Sequence, residues 1–241
     1  MYNPMAVVIR RTSCCVRVAN ANIPWISNGR GPNPPVQGRK GFFGPALTPH
    51  AMKVYVVDNG GQWTHREWRV LKYLGVDTAI VPNDTPPEKF RDADGLVLSG
   101  GAPRVGVDAS KMGRNGEYLD RSDVPILGIC AGHQFMAAHF GGAAAPARVP
   151  EFGKAQLVVD APDVLFEGLP QSFEVWESHN DEVSALPPGF VRLAHSENCG
   201  VQAMRSAKRP LFGLQFHPEV EHTQHGVDIF RNFLRVCEAA R

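Results

Sequence analysis

From residue 52 onward, short apolar runs alternate with segments whose apolar positions recur every three or four residues. The first run, Lys53–Asp58, reads as a strand and ends in Asn59-Gly60-Gly61. A helix is expected next, with Thr64 and Glu67 in capping-box spacing ahead of Trp68, Leu71 and Leu74, and with Gly75 closing it. Thr78–Val81 reads as a second strand, and Pro86-Pro87 opens a short helical turn. Gly95–Leu98 is a third strand, followed at once by Ser99-Gly100-Gly101. Pro125–Ile129 is a fourth, leading into Cys130, and Gln134 to Phe140 reads as a helix closed by Gly141-Gly142.

Beyond residue 150 the pattern becomes richer in strands: Ala155–Val159, Phe173–Trp176, Val191–His195, Val201–Met204 and Leu211–Phe216. An amphipathic helix from about His225 to Glu238 comes last. The pattern predicts an α/β fold: an open, mostly parallel sheet flanked by helices, with a smaller antiparallel β portion. Ligands of such sheets sit beyond the carboxyl ends of the strands. The turns Asn59–Gly61, Ser99–Gly101 and Cys130–Gly132 should therefore meet at one crevice.

Composition adjusts this picture at the amino end. Net charge is +1 over 241 residues, which argues against a general nucleic-acid binder, and no apolar run is long enough for a membrane span. The average hides an asymmetry. Residues 1–51 carry six basic side chains and no Asp or Glu, so residues 52–241 hold a net charge of −5. Rich in Pro, Gly and Asn and without periodicity, residues 1–51 read as a disordered extension, a transit peptide or a start placed too early. Met52, directly before a strand, would be a natural beginning, which makes 52–241 the working domain. Five widely spaced cysteines with no CxxC pair argue against a disulfide framework and suit a reducing cytoplasm.

The candidate chemistry starts at Gly128-Ile129-Cys130-Ala131-Gly132, a cysteine version of the nucleophile elbow. The turn is tight enough to need glycine on both sides, and the following helix places its positive end at the thiol, which favours thiolate. A cysteine nucleophile needs a base, and the base needs an orienting group. An apolar strand delivers His217 at its end, Pro218 keeps the chain extended, and Glu219 at i+2 points the same way as His217. Backbone N–H groups of Gly101 and Ala131 are candidates for an oxyanion hole. A dense polar stretch, Ser178-His179-Asn180-Asp181-Glu182, reads either as a solvated turn or as a substrate-facing loop.

Taken together, Gly128-Ile129-Cys130-Ala131-Gly132-His133-Gln134, Ser99-Gly100-Gly101 and Phe216-His217-Pro218-Glu219-Val220 resemble the three signatures of class I glutamine amidotransferase domains, whose fold is flavodoxin-like. The resemblance covers residue 52 to the end. Within the family, Asp58-Asn59-Gly60-Gly61-Gln62, Ser178 to Val183 and Glu219 to Thr223 resemble the glutaminase subunits of archaeal-type GMP synthases. The resemblance implies hydrolysis of glutamine to glutamate and ammonia by Cys130, His217 and Glu219, with Gln134 helping to hold the substrate. Ser178, His179 and Asp181 are further substrate-binding candidates, His179 and Asp181 on a loop that in relatives faces the synthetase partner and can touch its nucleotide. That partner would be a separate ATP-pyrophosphatase subunit that binds ATP and magnesium and converts XMP to GMP. No cofactor or metal is then expected on this chain. Two departures concern pocket shape: Ala102 stands before Pro103 where the family often has proline directly after Gly-Gly, and Ala131 follows the nucleophile where Leu or Tyr is usual.

Rival readings remain for the same residues. Cys130, His133, His217, Glu219 and His222 can be drawn as a zinc set, although no standard ligand spacing is matched. The same triad would serve another amidotransferase such as anthranilate synthase, and a non-catalytic module on the same fold is a further alternative.

Overall fold

The computed structural model describes residues 51–121, 123–161 and 163–241. Of the extension 1–51 expected from composition, all but Ala51 lies outside the described residues. Among the described residues, nine strands form one open mixed sheet in the order β2-β1-β3-β4-β9-β8-β7-β5-β6. The parallel half comprises β1 (Lys53–Asn59), β2 (Asp77–Pro82), β3 (Gly95–Gly101), β4 (Ile126–Ile129) and β9 (Leu211–Leu214). The antiparallel half comprises β5 (Ala143–Val159), β6 (Ser172–Ala185), β7 (Phe190–His195) and β8 (Ala203–Ser206). The β8–β9 pairing, also antiparallel, joins the two halves. The helices are α1 (Thr64–Tyr73), α2 (Val105–Asp108), α3 (Asn115–Arg121), α4 (Ala131–His139) and α5 (Gly226–Ala239).

Burial explains the strand types. β3, β4 and β9 are apolar nearly throughout and buried on both faces, as central parallel strands must be when helices cover each side. α5 buries Ile229, Phe230, Phe233, Leu234 and Val236 against one face of the sheet, along with Leu71 of α1. Met136 and Ala137 of α4 pack on the opposite face with Tyr118 and Leu119 of α3.

Four expectations need correction. Strand β3 runs through Ser99-Gly100-Gly101, because Gly101 still pairs with Asn59 at the end of β1. Helix α4 begins at Ala131, directly after the nucleophile, and not at Gln134. The polar stretch Ser178–Glu182 is neither turn nor loop but the middle of β6, paired with β5 from Ser172 to Ala185. Its alternation continues at period two, with Glu177, His179 and Asp181 taking the inward positions usually held by apolar residues. The Thr64/Glu67 capping box does not form. Trp63 is the N-cap of α1 and makes no side-chain cap bond. The Thr64 hydroxyl instead lies 2.9 Å from Asp58 Oδ1, and Glu67 turns toward β3.

Candidate active site

The crevice forms where the sheet's two central parallel strands end. β4 and β9 pair in register from Ile126 opposite Leu211 to Ile129 opposite Leu214, so the chain leaves both strands at the same height. Cys130 follows one and Gln215 to His217 the other. The Cys130 N–H donates to Leu214 O at 2.7 Å, which ties the elbow to β9. The His217 N–H donates to Trp176 O at 3.0 Å, which ties that segment to β6.

At Cys130 the chain reverses into α4 with φ 47° and ψ −104°, one of two non-glycine residues at positive φ among the described residues. The turn is possible because its flanks are bare. A Cβ on Gly132 would collide with the Leu98 carbonyl, and one on Gly128 would stand 2.8 Å from Gly132. The first N–H groups of α4 have no carbonyl to pair with inside their own helix. Ala131, its first residue, is 2% exposed, so its amide lies at the buried helix end beside the sulfur.

The three triad candidates are brought together. His217 Nδ1 lies 2.7 Å from Glu219 Oε1, inside a cluster where both side chains are buried. That contact places the proton on Nδ1 and leaves Nε2 for the thiol. The Cys130 side chain lines the same crevice as the imidazole, and both stand beside Gly100. Burial alone would push the His217 imidazolium pKa down. The charge of Glu219 and its hydrogen bond, with the neighbouring Cys130 side chain, outweigh burial and raise the pKa well above the ordinary value. The Trp63 ring meets the imidazole edge to face at 4.4 Å and fixes its plane. Gln215 adds an amide donor, with Nε2 3.7 Å from Cys130 Sγ.

The crevice over these groups encloses about 300 Å³ and is lined by Gly60, Gly61, Gly100, Gly101, Cys130, Ser178 and His217, with Trp63, Thr64 and Glu67 along one wall. The three glycine-bearing strand ends thus converge as their positions implied. Gly101 and Ser178 lie on the crevice. Gln134 does not line it: its Nε2 donates to Asp181 O at 2.6 Å and to Gln215 Oε1 at 3.1 Å, bracing β6 against the elbow. His179 and Asp181 are also absent from the lining. Asp181 receives both the Nε and Nη2 protons of Arg104 at 3.0 and 2.7 Å. His179 is enclosed between Glu151 at 3.1 Å and Glu177 at 3.3 Å. Burial opposes its charge, yet the two carboxylates prevail and hold its pKa at about 10.

The zinc set drawn from sequence is not assembled. His133 is fully buried with Nε2 3.1 Å from Val201 O, and burial pushes its pKa down to about 3. The His222 ring lies against Trp176 at 4.7 Å. A different group, Glu151, His179 and Cys199, has ligand atoms within 4.8 Å of one another. Its Glu151 oxygens already accept from Ser196 and Gln202 at 2.8 Å each, which suits a hydrogen-bonded network.

Sequence reasoning placed none of Trp63, Glu67, Arg104 or Gln215 in the site, and read Glu67 as half of a capping box. For Gln215, the signal was its place two residues before His217 on the same strand exit. Trp63 and Glu67 sat in a segment read as an ordinary helix start, and Arg104 in a stretch with no period.

Comparison with known proteins agrees with this geometry. The family profile described as glutamine amidotransferase class-I matches residues 55–237. A glutamine-hydrolyzing GMP synthase subunit of Thermoplasma acidophilum is 54% identical over 190 residues, covering 79% of this chain and 95% of that protein. The corresponding GMP synthase subunit of Archaeoglobus fulgidus is 46% identical over 187 residues, covering 78% and 100%. A crystal structure of a GMP synthase subunit protein from Thermoplasma acidophilum superposes with a TM-score of 0.76 over 79% of this chain and 96% of that one, at 54% identity. A glutamine amidotransferase from Thermotoga maritima, 17% identical, shares the fold with a TM-score of 0.67 over 78% and 99%. By the profile match and by these relatives, the chain belongs to the class-I glutamine amidotransferase family.

Proposed function

We propose that this chain is the glutaminase subunit of a two-subunit GMP synthase, and that it hydrolyses glutamine through Cys130, His217 and Glu219. The observation that carries the reading is the placement of the Cys130 thiol in one glycine-walled crevice with the hydrogen-bonded His217–Glu219 pair. The relatives' names support the acceptor.

In this mechanism His217 Nε2 takes the Cys130 proton, and the thiolate attacks the side-chain amide carbon of glutamine. The oxyanion that forms is met by the N–H groups of Gly101 and Ala131. Such donors act where charge develops, and losing one typically lowers turnover roughly 100- to 1000-fold. The imidazolium then protonates the amide nitrogen, ammonia leaves, and a γ-glutamyl thioester remains on Cys130. Water attacks the thioester with His217 as base, which releases glutamate and restores the thiol. Glu219 holds the Nδ1 tautomer and stabilises the imidazolium throughout. Ser178 lies beside the bound substrate. Gln134, His179 and Asp181 act from behind, by fixing β6 and the elbow.

The ammonia passes to a separate ATP-pyrophosphatase subunit, which carries ATP and magnesium and aminates XMP. The test is reconstitution of the full chain with that subunit, XMP, ATP and magnesium. Glutamine labelled with ¹⁵N in the amide should yield ¹⁵N-labelled GMP and one glutamate per GMP. Glutamine turnover should rise when partner and nucleotide are both present. No labelled GMP, with labelled anthranilate from the synthase subunit of that enzyme instead, would move the assignment to that alternative.

A further inference from the structure

Glu67 is a buried acid that the triad does not use. It sits in the first turn of α1, is 1% exposed, and lines the crevice. Its Oε1 accepts the N–H of Gly100 at 3.3 Å, while Oε2 has no partner. A buried carboxyl facing β3 in this way has no counter-ion among its hydrogen-bond partners, so it is there for the amide it holds or for a proton.

Gly100 shows which. It stands between the reacting groups: a Cβ there would come 3.2 Å from His217 Cε1 and 3.6 Å from Cys130 Cβ. Both of its backbone polar atoms are held by side chains. Its N–H goes to Glu67, and its carbonyl accepts from the Ser99 hydroxyl at 2.7 Å. That carbonyl shares a rigid peptide plane with the Gly101 N–H. Glycine itself resists rotation least of all residues. Without the Glu67 bond, the tilt of the Gly101 amide would rest on the Ser99 hydroxyl and on the pairing of Gly101 with Asn59 and Gly60 at the strand end.

Resting on the glutaminase reading above, we infer that Glu67 is a positioning residue: its carboxyl clamps the Gly100 amide and so sets the direction in which the Gly101 N–H points at the developing oxyanion. The clamp acts as a hydrogen-bond acceptor and not as a charge. Burial and the nearby Glu219 raise the Glu67 pKa well above the ordinary carboxyl value, in keeping with a neutral group. A neutral amide of the same shape should therefore replace it.

The test compares Glu67→Gln and Glu67→Leu in the complex with the partner subunit, with the unmodified chain alongside. Glutamine turnover should stay within about threefold in Glu67→Gln, which keeps an acceptor oxygen. In Glu67→Leu, of similar volume but without an acceptor, kcat should fall roughly 100-fold, the scale of a misplacement near 1 Å, with little change in KM. Alkylation of Cys130 by iodoacetamide, a displacement that uses no oxyanion hole, should remain within about threefold in both, because the Cys–His pair is untouched. Loss of turnover in Glu67→Gln equal to that in Glu67→Leu would overturn the clamp and make Glu67 a proton-transfer group. Unchanged turnover in Glu67→Leu would overturn it as well. If the unmodified complex itself releases no ammonia from glutamine, the glutaminase reading fails instead, and the alkylation arm identifies that case by showing an intact thiol.

Discussion

Cys130 holds φ 47° and ψ −104°, a conformation that costs an L-residue on the order of 1–3 kcal/mol. The strain is local and serves the reaction, since it lifts the sulfur from the end of β4 toward His217. Replacement by glycine should relieve it. We expect Cys130→Gly to be more stable than Cys130→Ala by about 1 kcal/mol in urea unfolding, the reverse of the order in ordinary helices. Equal stabilities would mean that the elbow carries no strain. The carboxylate partner can be tested on its own. Glu219→Gln keeps the shape but removes the charge that raises the His217 pKa. Turnover should drop on the order of 1000- to 10000-fold, and any remaining activity should lose its alkaline side at lower pH, because the imidazolium is then less favoured. An unshifted alkaline limb in the pH–rate profile would contradict this. The triad was legible in the sequence because each member carries a local mark: glycines around Cys130, and Pro218 between His217 and Glu219. Glu67 was not, because its spacing from Thr64 satisfied a helix-start rule that the fold then set aside.

Among the elements, β6 departs furthest from sequence expectation, and the reason is physical. Its inward positions are charged at Glu177, His179 and Asp181, so a hydropathy reading ends the strand at Trp176. The fold tolerates these charges by pairing them: His179 with Glu151 and Glu177, and Asp181 with Arg104. This arrangement should make stability depend on pH. A histidine with a raised folded pKa stabilises fully below its unfolded pKa, about 6.5, and loses that contribution as pH climbs to the folded one. The melting temperature should therefore decline between pH 6.5 and about 10, while His179→Gln should show a flatter curve across that window. At about 2–4 °C per kcal/mol for a chain of this size, calorimetry resolves the difference. Parallel curves for both proteins would contradict the paired state of His179. The seat of α4 on β3 gives a second check at this scale. Gly132→Ala would drive a methyl into Leu98, and should destabilise by about 1–3 kcal/mol while moving the elbow, with a matching loss of turnover. Strands β1 to β4 were legible within a residue or two, except for β3, whose last three residues read as a turn. Their apolar runs are short, and glycine or proline bounds most of them. α2 and α3 were not, since Val105–Asp108 and Asn115–Arg121 carry too few apolar residues to show a period.

At the scale of the molecule, one sheet holds two different jobs. The parallel half brings Cys130, Gly101 and His217 to a common edge, and β6 of the antiparallel half braces that edge through the Trp176 carbonyl, which accepts from His217, and the Asp181 carbonyl, which accepts from Gln134 of α4. Alternation of apolar runs made the parallel half readable. The long β5–β6 hairpin was not, because Ala143–Val159 interleaves Pro146, Pro150 and charged residues over 17 positions. Strand β1 starts at Lys53 and the family match at residue 55. A chain begun at Met52 should accordingly keep its melting temperature within about 2 °C, less than 1 kcal/mol at this size, and keep its glutaminase activity. A larger fall would give residues 1–51 a part in the fold. The central claim, that Cys130 is the nucleophile of a glutaminase feeding a separate synthetase, is tested most directly by Cys130→Ala in the reconstituted complex, assayed for GMP with each nitrogen source in turn. Synthesis from glutamine should disappear, and synthesis from added ammonium should persist at the unmodified rate. Undiminished synthesis from glutamine would contradict the claim.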